Sequence, residues 1–333
     1  MLRKPLLFGS WFVTASILIV LALGLLSAAP NTLEIKVRRG DSVSYLCFKH
    51  LGAYNKDIAA EVKRLNPKIK NLNLIYVGQT IQLPKERVEP PVAKPSVQPP
   101  TTYPPKAKEM TAAAAKAVIT LVEGKAEMIT ADRKAWQTAS VNSMLESGDK
   151  VRVLEEGRME LILDNRSVLR LASNSSLELK EVERSPRKER YSFFFSVGKM
   201  WTRVTRMLGF GSSHQVETPT AIAAVQGTSY DLQVDPGQQT RVRVFSGNVK
   251  IYNPFAGDLA PGQKVPKLEQ PTRVAGPKRI SREEWEQLLL GQYQQVTLGR
   301  KGRSAISGFD LPAARKEAWI RWNEERDRDF YGE

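Results

Sequence analysis

Carboxylates and histidines are the residues of this sequence that could carry acid–base or nucleophilic chemistry. Cleavage of a glycosidic bond needs two carboxyl groups flanking it, one of them with a raised pKa. The candidate carboxylates lie where acidic residues commonly cap helices or form turns: Asp41, Glu61, Asp149, Asp164, Glu217 and Asp231. A Ser–His–Asp set would need His214, which lies in a glycine- and serine-containing stretch typical of a loop. We therefore predict no catalytic residues and no enzymatic activity.

Metal and disulfide chemistry have few candidate residues. The chain has 333 residues, two histidines and one cysteine, Cys47. A lone cysteine forms no internal disulfide, and two histidines do not supply a usual zinc-ligand cluster. We predict no metal and no cofactor. The formal net charge of +15 favours an anionic partner: nucleic acid, phospholipid head groups or an acidic wall polymer.

The first 30 residues have the pattern of an export signal. Basic residues precede an uncharged apolar run over residues 6–29, which exceeds the roughly 20 apolar residues needed to span a bilayer. The small residues at its end are followed by Pro30, a poor residue after a cleavage site. We expect residues 1–30 to be an uncleaved signal anchor rather than a cleaved signal peptide. Export places the protein in the periplasm or cell envelope, so we expect no nucleic-acid partner.

Residues 33–84 follow the order strand, helix, helix, strand. The stretch IKVRRGDSV predicts a strand, then a turn in which Asp41 and Ser42 can cap a helix beginning near Val43. Asn55 is placed to cap a second helix that ends at Asn66, and LIYVGQTIQLP predicts the second strand. With RRGDSV, LNP and YVGQTIQLP at matching places, this module resembles the LysM domain. The resemblance implies two helices on one face of a two-stranded antiparallel sheet, and a shallow groove for N-acetylglucosamine-containing glycans such as peptidoglycan.

The LysM resemblance also implies where a glycan would bind, between the loop after the first strand and the loop before the second. Carried onto this chain, the glycan-binding residues are Gly40, Asp41, Ser42 and Val43 on one side, and Asn66, Pro67, Leu74, Ile75 and Tyr76 on the other. N-acetyl groups need small apolar contacts and hydrogen-bond partners, which such loops supply. Ser44 stands where the family often has an aromatic residue, so groove contacts are expected to be weaker. Cys47 is expected to be a buried, unreactive thiol.

Prolines recur through residues 85–115. Proline at this density blocks helix and sheet and favours an extended polyproline conformation. A spacer of this kind, at about 3.1 Å per residue, would let a glycan-binding module move relative to the rest of the chain.

Residues 116–266 have the pattern of short strands separated by turns. Three strand signals converge on the stretch ETPTAIAAVQGT at residues 217–228: GKMWTRVTR before it, SYDLQV directly after it and RVRVFSGNVKIY further on. With LESGDKVRVLEEGRMELILDNRSVLRLASNSSLEL upstream, these stretches resemble the FecR-like domain, a periplasmic sensor module. We expect a short β-solenoid or a curled two-sheet sandwich rather than a closed barrel.

The turn motif itself is expected to be structural. Gly227 should have positive φ or lie where another segment passes closely, and Thr218 and Thr228 should bond local backbone groups. The substitution Gly227→Val is then expected to unfold the β-domain.

Aromatic alternation in YSFFFSVGKMW predicts one buried strand face. An exposed Met207, Leu208 and Phe210 in the next loop would suit a lipid head-group layer or an apolar partner groove. Residues 267–333 predict a linker and amphipathic helices. The first helix would begin at the capping box of Ser281 and Glu284, and the last would cover residues 312–329 and dock on the β-domain or a partner.

The sequence therefore predicts a multidomain protein with an α+β LysM-like module, a Pro-rich linker, an all-β FecR-like domain and C-terminal helices. We interpret it as a non-catalytic envelope protein that binds peptidoglycan or another N-acetylglucosamine polymer and presents its β-domain as scaffold or sensor. Its other partners would be the membrane, through the N-terminal segment, and an envelope protein. FecR-type transmembrane signalling with a partner stays open, as does, with less support, a cell-wall hydrolase. Residues 1–4 are too short for a cytoplasmic signalling domain, so a partner would have to supply one.

Overall fold

A computed structural model of the chain describes residues 32–85, 117–133, 135–185, 188–206, 212–252 and 287–332. The predicted signal anchor, most of the Pro-rich linker, the Met207–Phe210 loop and the capping box at Ser281 lie outside the described residues. In the described ranges, no helix has the length and apolarity needed to cross a membrane.

The LysM-like region is a two-stranded sheet with two helices. Its elements are β1 (Thr32–Lys36), α1 (Val43–Leu51), α2 (Lys56–Leu65) and β2 (Thr80–Pro84). The strands pair antiparallel with Ile35 opposite Ile81, and Asn55 Oδ1 caps α2 by accepting the Ile58 N–H at 2.8 Å. The predicted βααβ order is confirmed. The second strand is shorter than predicted, because a turn closed by the Gln79 N–H on the Tyr76 carbonyl precedes it.

In the part of the chain that the structure describes, the β-domain contains 18 strands in one curled sheet. They are β3 (Ala117–Glu123), β4 (Ala126–Ile129), β5 (Gln137–Thr138), β6 (Met144–Leu145), β7 (Lys150–Val153), β8 (Arg158–Leu163), β9 (Val168–Leu171), β10 (Ser175–Ser185), β11 (Lys188–Arg203), β12 (Ser213–Glu217), β13 (Ile222–Val225), β14 (Ser229–Val234), β15 (Thr240–Ser246), β16 (Val249–Tyr252), β17 (Gln287–Leu290), β18 (Gln294–Gly299), β19 (Gly302–Arg303) and β20 (Ser307–Gly308).

The long strand β11 joins two halves of this sheet. One half has the order β6-β3-β8-β9-β11-β14-β15-β18. The other has the order β5-β4-β7-β10-β11-β12-β13-β16-β17. Pairing is antiparallel except between β11 and β12. One apolar core draws residues from both halves, which confirms the predicted curled two-sheet arrangement.

The aromatic alternation of β11 fills that core. Tyr191, Phe193 and Phe195 are each 0% exposed, as the period-two pattern predicted. Further along the strand, Gly198 has φ +110, and a Cβ there would lie 2.1 Å from the Ser175 Oγ. Only glycine fits at this point, between the half of β11 that pairs with β10 and the half that pairs with β14.

The turn motif at residues 217–228 is structural, as predicted. Gly227 has φ +64, and Thr218 Oγ1 donates to the Ala221 carbonyl at 3.0 Å. Thr228 Oγ1 lies 3.3 Å from the local Gln226 carbonyl, and its shorter bond, at 2.8 Å, is to the distant Asn248 carbonyl. Its small-residue run is itself strand β13 rather than only a turn.

The first predicted C-terminal helix is wrong where the structure describes it, because residues 287–290 form strand β17 against β16. Leu288 and Leu290 are buried, whereas Leu289 between them is 58% exposed. This period of two is that of a strand with one face on the core, and it was hidden in a run of identical leucines. The helical character predicted for residues 312–329 is confirmed, but the structure has two helices there instead of one: α3 (Leu311–Ala314) and α4 (Ala318–Tyr331).

Candidate functional site

The loop between β1 and α1 carries four of the predicted glycan contacts. Gly40 has φ +85, and Asp41 Oδ2 accepts a backbone N–H of the same turn at 2.7 Å. Ser42, not Asp41, caps α1, because the Ser42 Oγ accepts the Tyr45 N–H at 3.2 Å. Ser42 and Val43 are buried, at 3% and 0% exposure. Of these four predicted contacts, only Gly40 and Asp41 keep part of their surface.

Asn66 holds the second loop in place. Its Nδ2 donates to the Val62 carbonyl at 2.7 Å and to the Gln82 carbonyl at 2.8 Å, and its Oδ1 accepts the Gln82 N–H at 2.9 Å. The side chain is thus used within the fold, and of the two predicted contacts in this loop only Pro67 is exposed.

The turn before β2 is the open part of the predicted groove. Leu74 is 60% exposed and Tyr76 is 70% exposed, while Ile75 between them is half-buried. Val77, at 71% exposure, belongs to the same surface and was missed by sequence reasoning, although its position directly after Tyr76 in the family-like YVGQ turn was a usable signal. We call Leu74, Tyr76 and Val77 the apolar ridge. Contiguous exposed apolar side chains on a protein surface mark contact sites.

The β-domain covers the opposite side of the first loop. The Ser42 Oγ donates to the Thr120 carbonyl of β3 at 2.7 Å, and the Ser44 N–H donates to Asn142 Oδ1 at 2.8 Å. The Asn142 Nδ2 in turn donates to Asn73 Oδ1 at 2.8 Å. The LysM-like region is therefore docked on the β-domain, unlike the freely moving module that the Pro-rich spacer suggested. Ser44, interpreted as a missing aromatic residue, lies inside this interface.

Helix α4 fastens the same interface from the C-terminal end of the chain. Arg326 Nη2 donates to the Gly40 carbonyl at 3.2 Å. The Tyr45 hydroxyl and the Lys49 ammonium both donate to the Asp329 carboxylate, at 2.7 and 2.8 Å. The predicted docking of the last helix is thus observed, on the β-domain and the LysM-like region together.

Glu160 on β8 is the centre of the buried charges under α4. Its carboxylate accepts from Arg170 at 2.7 Å, from Arg326 at 2.7 and 2.8 Å and from the Thr120 hydroxyl at 2.7 Å. Burial by itself would raise the pKa of Glu160, but the charges of Arg326 and Arg170 lower it to about 2. Asp327 completes the cluster with a 2.6 Å bond to Arg170. These charges are paired and hydrogen-bonded, as buried charges must be.

A cavity of about 270 Å³ remains between the LysM-like region and strand β3. Its walls include Asp41, Leu72 and Ile75 from the LysM-like region and Val122, Glu123 and Val141 from the β-domain. Burial raises the pKa of Asp41 above its ordinary value. The cavity thus combines apolar walls with carboxylates, a lining suited to an uncharged polar ligand.

The carboxylates considered for catalysis have structural roles. Asp149 accepts two backbone N–H groups at 2.8 and 2.9 Å, Asp164 accepts a tyrosine hydroxyl at 2.6 Å, and Asp231 pairs with an arginine at 2.9 Å. Two further candidates form partly exposed ion pairs, Glu61 with Arg64 and Glu217 with Lys180. None of these contacts sets up a pair of carboxylates around a bond to be cleaved.

The potential nucleophile Cys47 and the potential base His214 have no catalytic partners among the described residues. Cys47 is buried, as predicted, and burial raises the pKa of its thiol to about 12, which disfavours the reactive thiolate. His214 is 1% exposed and lies against the rings of Tyr191 and Phe193, and burial lowers its pKa to about 3. Over the described ranges, no group of three or more His, Cys, Asp or Glu side chains is arranged to hold a metal ion.

Comparison with known proteins assigns both regions. The LysM domain family model matches residues 35–84, and the FecR protein family model matches residues 149–250. An endolysin of Bacillus phage B103 is 40% identical over 57 residues, which are 17% of this chain and 20% of the endolysin. The chain therefore spans about a fifth of the length of this curated relative, and the activity of the whole endolysin does not transfer with the match.

Two crystal structures of a candidate anti-sigma factor from Parabacteroides distasonis ATCC 8503 are also similar. They are 16% and 14% identical to this chain, cover 51% of it and 64% of their own chains, and have a TM-score of 0.36. The two families matched by the models are binding and signalling domains typical of cell-envelope proteins. The chain thus carries a LysM domain followed by a FecR region.

Proposed function

We propose that this protein is a non-catalytic cell-envelope component that holds an N-acetylglucosamine-containing glycan, such as peptidoglycan, through its LysM domain. The FecR region acts as the scaffold or sensor to which that domain is docked. The observation that carries the proposal is the apolar ridge, which lies exposed on the turn before β2, where the family resemblance puts one side of the glycan groove. Sugar rings and N-acetyl methyl groups pack against such side chains, and the surrounding loop backbone is available for hydrogen bonds.

The test uses the full chain with insoluble peptidoglycan sacculi and soluble N-acetylglucosamine oligomers. Tyr76→Ala and Leu74→Ala remove exposed contact area and no cap, so retention should fall while the melting temperature stays unchanged. Leu289→Ala is the matched control, since Leu289 is 58% exposed on the β-domain and Leu74 is 60% exposed. Retention unaffected by both ridge variants would contradict the proposal. Release of soluble glycan fragments by the wild-type chain would instead indicate a hydrolase.

We place the protein at the inner membrane, held by residues 6–29 as an uncleaved anchor. Support comes from the uncharged apolar run and from Pro30 after the small residues. The mature protein should then retain Met1 and stay with membranes after a salt wash. Recovery of a soluble form that begins at Ala29 or Pro30 would contradict this placement.

A signalling role with a partner protein is the second candidate, favoured by the FecR match over residues 149–250. In that case the docked LysM domain would report glycan contact to the FecR region. Crosslinking from the β-domain in envelope fractions should then recover one envelope protein in a glycan-dependent way. Equal recovery with and without glycan would contradict the sensor role and leave the scaffold role.

A further inference from the structure

The cavity between the LysM domain and strand β3 has two walls of different origin. Leu72 and Ile75 come from the loop before β2, and Val122 and Val141 come from the β-domain. All four are half-buried, so they form an apolar lining that a ligand can still reach.

Two carboxylates add polarity to this lining. Asp41 uses only Oδ2, toward the Arg38 N–H, and over the described ranges its Oδ1 has no hydrogen-bond partner. Glu123 on β3 is 3.8 Å from Arg158 in a loose, partly exposed ion pair. A sugar with an acetamido group offers what these walls accept: a methyl group for the apolar side chains, and N–H and O–H donors for the carboxylates.

The second wall is a fixed part of the molecule. Val118, Ile162 and Val168 of the β-domain are 0% exposed and belong to the same apolar cluster as the LysM core. The Asn142 bonds to Ser44 and Asn73 close the interface on one side, and α4 closes it on another. A glycan that enters the groove of this docked LysM domain therefore meets strand β3.

We propose that the glycan site of this protein is a composite one, in which strand β3 and Val141 form the second wall of the LysM groove and select the glycan unit that enters. This inference rests on the proposed function and adds residues outside the LysM domain to it. The cavity volume of about 270 Å³ is near the lower end of ligand pockets, about 300 Å³, so it takes one N-acetylated sugar unit. The rest of the glycan leaves over the apolar ridge.

The decisive variants lie in the β-domain and leave the LysM domain unchanged. Val141→Ala and Glu123→Gln in the full chain should each weaken binding of an N-acetylglucosamine tetramer, measured by calorimetry, by about tenfold. The matched control is Glu178→Gln, because Glu178 also forms a partly exposed ion pair, with Lys150 at 3.1 Å, but does not line the cavity. Affinity unchanged by both cavity variants, together with a loss in Tyr76→Ala, would overturn the composite site and leave the proposed function standing.

A third variant tests whether the β-domain contributes contacts to the glycan or only covers the groove. Asn142 has φ +66, so Asn142→Gly removes its bonds to Ser44 and Asn73 without backbone strain. A composite site predicts weaker binding in this variant, whereas a β-domain that merely covers the groove predicts tighter binding and would overturn the inference. Asn174→Gly, at φ +57 on the β-domain, is the control for the substitution itself. A wild-type chain that binds no oligomer at all would overturn both the composite site and the proposed function.

Discussion

The LysM domain and the β-domain build their cores over different distances along the chain. In the LysM domain, the longest strand pairing joins Thr32 to Pro84, and both helices lie between those residues. In the β-domain, Arg170 reaches Asp327 and Trp201 donates to the same carboxylate from 126 residues away. Because the contacts of the LysM domain join residues close in sequence, local patterns predict its structure. The contacts of the β-domain join distant residues, and the entropy lost in bringing those residues together is offset only when the whole fold has formed.

This difference predicts that a backbone clash in β11 destroys the β-domain and spares the LysM domain. At Gly198 an added Cβ would lie 2.6 Å from the Ser175 Cα, whereas at Gly227 the nearest atom is 3.8 Å away. Gly198→Ala should therefore abolish cooperative unfolding of the β-domain. Amide hydrogen exchange should show that residues 43–65 remain protected.

Gly227→Ala is the matched control, because both glycines have positive φ. It should cost only the strain of the left-handed conformation, about 1–2 kcal/mol. Since the space around Gly227 is open, Gly227→Val should cost about 1–3 kcal/mol rather than unfold the domain as the sequence suggested. A Gly198→Ala protein as stable as wild type would refute the close approach.

The second prediction concerns the cluster that ties α4 to the β-domain. Asp327→Asn leaves the buried Arg170, 0% exposed, without one of its two carboxylates and should lower the free energy of unfolding by about 3–5 kcal/mol. Glu324→Gln on the same helix removes a pair with Arg315, whose side chain is 54% exposed, and should cost at most about 1 kcal/mol. Urea denaturation of both variants measures the difference, and equal losses would show that burial of the cluster is not what matters.

The third and smallest effect is a pH dependence located in the β-domain. Burial lowers the pKa of His214 from 6.5 to about 3. Between these two pH values His214 is protonated in the unfolded chain and neutral in the folded chain. Stability is therefore full above pH 6.5 and falls as the pH drops toward 3, by about 2 kcal/mol between pH 7 and 5.

His214→Phe, which keeps an aromatic ring in the core, should remove this slope. His50→Gln, at an exposed position of the LysM domain, should keep most of it, although burial lowers the pKa of His50 as well. Denaturation curves at pH 7 and 5 provide the measurement, and a slope that survives in His214→Phe would assign it to another group.

The candidate site likewise has features that local sequence patterns predicted and features that depend on distant contacts. The resemblance carried by GDSV and YVGQ predicts two loops as the sides of a glycan groove, and of the predicted contacts Leu74 and Tyr76 are exposed at 60% and 70%. The sequence did not reveal that the Asn66 amide hydrogen-bonds to the backbone of α2 and β2, because a turn-forming asparagine and a ligand-binding one have the same local pattern. It also did not reveal Asn142, which lies about 70 residues beyond its partner Asn73.

Local sequence patterns were enough to predict the βααβ order of the LysM domain, the period-two burial of β11 and the Asn55 cap of α2. Each of these follows from side-chain periodicity or from backbone sterics within a few residues. Long-range contacts were needed to show that residues 287–290 are a strand, that α4 contacts both domains and that the loop before β2 faces strand β3 across a cavity. Those outcomes depend on which distant surface buries a given side chain or charge, and no local pattern encodes that choice.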